Sequence, residues 1–157
     1  MPWRVEIAGV LLFLFGLLTL LALPGLNQTA WLLWWTGLLR QILGWGAYVL
    51  ALSLMGIGAN LALRQVERPF YLHPMQIIGF EILFLTALPL SHLFTGATLP
   101  DAYLGKGGGL FGWALSEPLV EFLGPILTGM FYLALLGWGV SLVLGYRWED
   151  FLDGLNT

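Results

Sequence analysis

Four apolar runs, each about as long as a bilayer crossing, constrain this chain more than anything else in it. A helix needs about 20 apolar residues to cross roughly 30 Å of hydrocarbon, where no water can pair a free backbone group. The runs cover residues 5–23, 43–63, 75–94 and 124–146. The first carries no charge from Ile7 onward, and the second lies between Arg40 and Arg64. The third holds one charge, Glu81, and the fourth lies between Glu121 and Arg147. Of the 157 residues, 59% are apolar and 10% are charged, against about 25% charged in a soluble domain. Too few polar side chains remain to cover a water-facing surface, which excludes a soluble globular enzyme, and disorder needs the opposite composition. The expected fold is an all-α integral membrane protein. It is one membrane domain over residues 1–157, with four transmembrane helices in two hairpins.

The first run could pass for a secretory signal, because Arg4 precedes it. Glu6 interrupts the basic segment, however, and no small-x-small cleavage site follows, so it is read as a retained span. Basic residues favour the cytoplasmic side. Four spans put Arg4, Arg64, Arg68 and Arg147 on one side and leave Arg40 and Lys106 on the other, so both termini are expected in the cytoplasm.

Two further segments are apolar but too short to span. Residues 30–42 carry Trp31, Trp34 and Trp35, and tryptophan favours the headgroup level. In residues 110–123, Phe111, Leu115, Pro118, Leu119 and Phe122 share one helical face, with Glu117 and Glu121 on another. Both are expected as short interfacial helices, with the carboxylates in water. The halves of the chain then read alike: a span, an interfacial helix, Leu-Gly (Leu43-Gly44, Leu123-Gly124), and a span returning to an arginine. Gly56 and Gly58 recur as Gly137 and Gly139, which suggests a weak parallel repeat.

These residues resemble a known family. In residues 107–145, Gly107, Gly108, Gly112, Leu123, Gly124, Gly137 and Gly145 follow the order seen at the end of the amino-terminal four-span region of the FtsK/SpoIIIE DNA translocases. Residues 38–58 resemble that region's second span, with its Gly-x-Gly-Ala-Tyr opening at Gly44, Gly46, Ala47 and Tyr48. Ala51 departs from the pattern, since many members have proline there. The resemblance covers about residues 5–147. It implies a bacterial inner-membrane domain that anchors a cytoplasmic ATP-driven DNA motor at the septum. It also implies homo-oligomerisation and contact with other cell-division membrane proteins. The motor would lie outside this chain. A P-loop needs GxxxxGK[ST], whereas in LGKGGGL at 104–110 the lysine precedes the glycines and no Ser or Thr follows. That stretch is read as a flexible loop leading into the interfacial helix.

No enzyme constellation is visible. The chain has no cysteine, which removes thiolate metal sites and thiol nucleophiles, and its net charge of −3 offers no basic footprint for direct nucleic-acid contact. His73 and His92 flank one span, on the order of 28 Å apart on a helix, too far to share a haem. Both are expected to be solvated or interfacial. No cofactor or metal is expected.

Two sets of residues remain. Glu81 lies about 9 Å into the third span, and Asn60 about 6 Å into the second from the same side. A hairpin would level them and let Asn60, or a snorkelling Arg64 or Arg68, bond the carboxylate. A proton or ion relay and a packing contact are both open readings. The second set is the small residues Gly137, Ser141 and Gly145 on the fourth span, with Ala47, Ala51, Gly58 and Ala62 on the second. Small residues let helix backbones approach in lipid, where no hydrophobic drive brings helices together. The contacts could lie within one chain or between subunits. The expected function is thus membrane anchoring and assembly of a translocase. The alternative is a small transporter or channel subunit with Glu81 in its path.

Overall fold

The computed structural model describes residues 3–26, 29–63 and 73–145, with side chains from Val5 onward. Seven helices form among them, and no strand: α1 (Trp3–Ala22), α2 (Ala30–Leu43), α3 (Gly46–Ala62), α4 (Pro74–Thr95), α5 (Leu99–Tyr103), α6 (Gly109–Leu123) and α7 (Pro125–Leu144). Three of them, α1, α4 and α7, are long and apolar enough to cross a membrane. The fourth expected span begins later than its hydropathy suggests. Gly44, at φ 58°, turns the chain, so that α2 and α3 meet at 116° and α3 keeps 17 residues, about 25 Å. Short helices occupy the two segments expected to be interfacial, and α5 is an addition. Arg64, Arg68 and Arg147 lie outside the described residues, as does the Arg4 side chain.

The four long helices associate as two antiparallel pairs, α1 with α3 and α4 with α7. In the first pair a Cβ added at Gly9 would lie 2.6 Å from the Ala62 amide nitrogen, and one at Gly16 would lie 2.9 Å from that of Met55. In the second, a Cβ at Gly79 would lie 2.9 Å from the Val143 amide nitrogen. Gln76 ties the start of α4 twice: its carbonyl accepts from the His73 amide, and its amide donates to the Val143 carbonyl at 3.2 Å.

Each pair carries its own short helix. The Trp35 indole of α2 donates to the Thr19 hydroxyl of α1 at 3.3 Å, and its ring lies 5.6 Å from that of Phe15. In the other half, the Tyr132 hydroxyl of α7 donates to the Leu115 carbonyl of α6 at 2.7 Å. A compact apolar core of Leu23, Leu39, Ala47 and Ala51 fills the space among α1, α2 and α3.

The expected apolar stripe of α6 is not its packing face. Phe111, Pro118 and Phe122 are exposed, while Gly109, Gly112 and Ser116 are buried. Small residues win the buried face because α4 passes at backbone distance. Glu117 and Glu121 are exposed on the third side. Both α4 and α6 continue helical through their internal prolines, Pro89 and Pro118.

Candidate functional site

Where the two helix pairs meet, the junction is built from glycine. It gathers the α2–α3 corner at Gly44, the loop 105–109, the start of α6, and the end of α4 from Leu88 to Thr95. A Cβ on Gly108 would fall on the Leu88 carbonyl, one on Gly112 would lie 2.8 Å from that oxygen, and one on Gly44 would fall on the Gly107 carbonyl. Gly105 abuts the Arg40 carbonyl of α2 in the same way. Any side chain at Gly108 would push two backbones apart, so the residue is required for contact itself.

The loop 104–110 is therefore not the flexible connector expected. Gly108 and Gly109 are buried, and the segment is a wedge between halves. It is braced on its outer side, where Lys106 donates to Asp101 at 2.7 Å and Asp101 accepts from the Thr98 hydroxyl at 2.7 Å. The Lys106 hydrogen bond, followed by the two from Thr98, holds the Asp101 carboxyl well below the usual carboxylate range.

Polar groups stitch the same level. The Trp45 indole, at the head of α3, donates to the Ser91 hydroxyl of α4 at 2.9 Å, and Ser91 donates in turn to the Leu88 carbonyl at 2.8 Å. His92 is buried against Gly107 and Gly112, correcting the expectation of a solvated or interfacial ring. Its Nδ1 finds no hydrogen-bond partner among the described residues. The sequence offered no sign of this, because the glycines that close over His92 lie 15 to 20 positions further along the chain.

Among the described residues no hydrogen bond joins Glu81 to Asn60. Glu81 is exposed on α4 and Asn60 half-buried on α3. The two helices touch where a Cβ at Gly46 would lie 2.7 Å from Leu88 Cδ2 and 3.1 Å from the Phe84 ring.

The small residues divide. Ala47 and Ala51 are fully buried, Gly58 meets the Phe13 backbone and Ala62 meets Gly9, all within the first pair. On α7 the expected line of Gly137, Ser141 and Gly145 does not pack against another helix of this chain. A Cβ on Gly137 meets nothing within 4 Å, Ser141 bonds its own helix at Trp138, and Gly145 is the left-handed cap of α7. Packing falls instead to Gly139 and Val143, which face Ile82, Leu83 and Gly79. Of the family-pattern residues, Gly107, Gly108 and Gly112 converge on the junction, and Gly124, at φ 79°, forms the α6–α7 corner beside exposed Leu123. Gly9, Gly16 and Gly79 were missed, although Gly9 and Gly16 stand seven apart on one helix face. Among the described residues no group of three or more His, Asp or Glu side chains could hold a metal ion.

An all-helical chain with three helices able to cross a membrane, and a fourth packed antiparallel along one of them, defines a multi-pass membrane protein. The family model for the 4TM region of DNA translocase FtsK/SpoIIIE matches residues 33–156, and the chain belongs to that family. The match begins within α2 and takes in α3 to α7, and α1 precedes it. The matched region is the family's membrane part, not its ATPase motor. No curated protein and no solved structure matches the chain.

Proposed function

We infer that this chain is the membrane-anchoring and assembly domain of an FtsK/SpoIIIE-like DNA translocase acting in cell division and chromosome segregation. The single observation that carries the reading is the family match over residues 33–156. In this reading α1, α3, α4 and α7 cross the bacterial inner membrane. Both termini face the cytoplasm, where Arg64, Arg68 and Arg147 join Arg4. The exposed Trp31 and Trp34 of α2, and Phe111 and Phe122 of α6, then lie at the outer interface. The domain does no chemistry. It holds a motor at the septum, associates with further copies, and meets other division membrane proteins.

The transporter reading needs a polar route lined by Glu81 and Asn60, and among the described residues no hydrogen bond joins these two residues, which lie on separate helices. Two measurements test the anchor. A fluorescent fusion to the chain is expected at the septum, and reporters at both ends are expected to read cytoplasmic. Uniform membrane fluorescence in dividing cells, or termini on opposite sides, would overturn the reading.

A further inference from the structure

The short helix α2 packs through Leu32, Thr36 and Leu39, which are buried on one face. Its opposite face is open. Leu33, Gly37 and Arg40, at positions i, i+4 and i+7, form one exposed ridge, with Trp34 beside Gly37 one turn back. Trp34 is 69% exposed. A Cβ on Gly37 would meet nothing within 4 Å, so the ridge has a notch between Trp34 and Arg40. Among the described residues Arg40 has no ion-pair partner. Its Cβ lies against the wedge, since a Cβ on Gly105 would come within 3.4 Å of it. That contact brings Lys106, the next residue, alongside, although 66 positions separate the two cations in the sequence. Lys106 keeps 63% of its side chain open while pairing with Asp101. Arg40 and Lys106 against Asp101 leave these three side chains with a net charge of +1. On the far side of Lys106, Tyr103 and Leu104 extend the open apolar surface.

Open tryptophan and leucine suit the headgroup level and the acyl chains below it, and an uncompensated cation there calls for an anion at the same depth. A zwitterionic headgroup would bring a cation of its own. Guanidinium can meet a phosphate through two parallel hydrogen bonds, and its apolar stem lets it reach that level across greasy surface. We propose that the corner between α2 and the wedge seats one anionic phospholipid. Its phosphodiester lies between Arg40 and Lys106, and its upper acyl chain fills the notch at Gly37 against Trp34. The two halves of the molecule share the seat, since Arg40 belongs to the first and Lys106 to the second. The proposal deepens the anchor described above, and it rests on that reading for the leaflet, the outer one, that supplies the lipid.

Native mass spectrometry of the full chain in detergent, with phosphatidylglycerol, phosphatidylcholine or inorganic phosphate added, tests it. One phosphatidylglycerol should be retained about tenfold more tightly than phosphatidylcholine, equivalent to about 1.4 kcal/mol. Arg40→Gln should erase that preference. Arg40→Lys should keep part of it, because the charge stays while the planar fork is lost. Gly37→Leu keeps both cations but fills the notch, and should weaken retention of both lipids. Excess inorganic phosphate should not displace phosphatidylglycerol. Equal retention of the two lipids, or a preference unchanged by Arg40→Gln, overturns the proposal. Retention unaffected by Gly37→Leu would show attraction by charge without a seat, and displacement by inorganic phosphate would show a plain phosphate site; either also overturns it. Positions 37 and 40 are exposed, so both variants should keep the parent's helicity, and a variant that fails to fold would assign its residue to an internal contact instead. The measurement is made in detergent and does not depend on topology. Loss of selective retention therefore sinks the seat alone, whereas a fusion that misses the septum, or termini on opposite sides, sinks the anchor alone.

Discussion

In the α1–α3 pair, Gly9, Gly16 and Gly58 each stand where a Cβ would strike the partner's backbone. In the α4–α7 pair, Gly79 does so, but Gly139 faces the side chains of Ile82 and Leu83, with 3.1 Å left for a Cβ. The buried interiors differ less: the first half closes over leucine and alanine with Thr19 and Thr36, and the second buries Leu88, Leu90 and Ala102 with Thr86, His92, Ser116, Thr128 and Tyr132. Backbone-to-backbone contact yields dispersion energy without freezing side chains, but it tolerates no added atom. A side-chain contact can give way by rotation. The first pair is thus expected to tolerate added side-chain volume less than the second, which also carries the wedge that joins the two.

That contrast can be broken by experiment. The largest effect is expected at Gly58→Val, about 3 kcal/mol or more, because the new side chain meets the Phe13 main chain; Gly139→Val should cost about 1–2 kcal/mol. Loss of helicity on denaturing-detergent titration measures both, and equal costs would erase the distinction. Gly108→Ala comes next, at about 2 kcal/mol, since its methyl group falls on the Leu88 carbonyl. It should loosen one half from the other while each pair survives, which crosslinks within and between pairs would resolve. Trp45→Phe removes the indole bond to Ser91 and should cost about 1 kcal/mol, read by the same crosslinks between halves. Gly137→Ala has open space to fill and should stabilise α7 by roughly 0.5–1 kcal/mol through helix propensity. Destabilisation there would place the residue in a contact outside this chain.

The smallest effect concerns the brace around Asp101. A carboxyl with a depressed pKa contributes stability above its unfolded value, near 3.9, and loses it as pH falls through the folded value. The Thr98–Lys106 turn should therefore keep its amide protection from neutral pH down past the ordinary carboxylate range. Lys106→Met removes the main cause of the depression, so protection should begin to fail at a higher pH than in the parent. Identical acid profiles would assign the low value to Thr98 alone.

Much of the architecture could be read from residue order. Hydropathy located α1, α4 and α7 to within a few residues, and the Leu-Gly repeats marked both corners. The order of the glycines pointed to the family. Periodicity found the carboxylate face of α6 but assigned its buried face to the phenylalanines, because in lipid an apolar stripe no longer signals a core. The same ambiguity chose Gly137 over Gly139 on α7, for either would let a partner helix approach closely. Register was out of reach as well. Where α3 begins is set by a corner packed against a loop more than 60 residues away.

The kind of solvent this chain must occupy, the extent of α1, α4 and α7, and the corners at the two Leu-Gly pairs follow from local chemistry: apolar length and glycine freedom act within a few residues. Which glycines touch, that His92 is sealed in and that Glu81 is left open follow from contacts distant along the chain. In a bilayer those contacts are chosen by shape, because burying grease there gains nothing over leaving it in lipid.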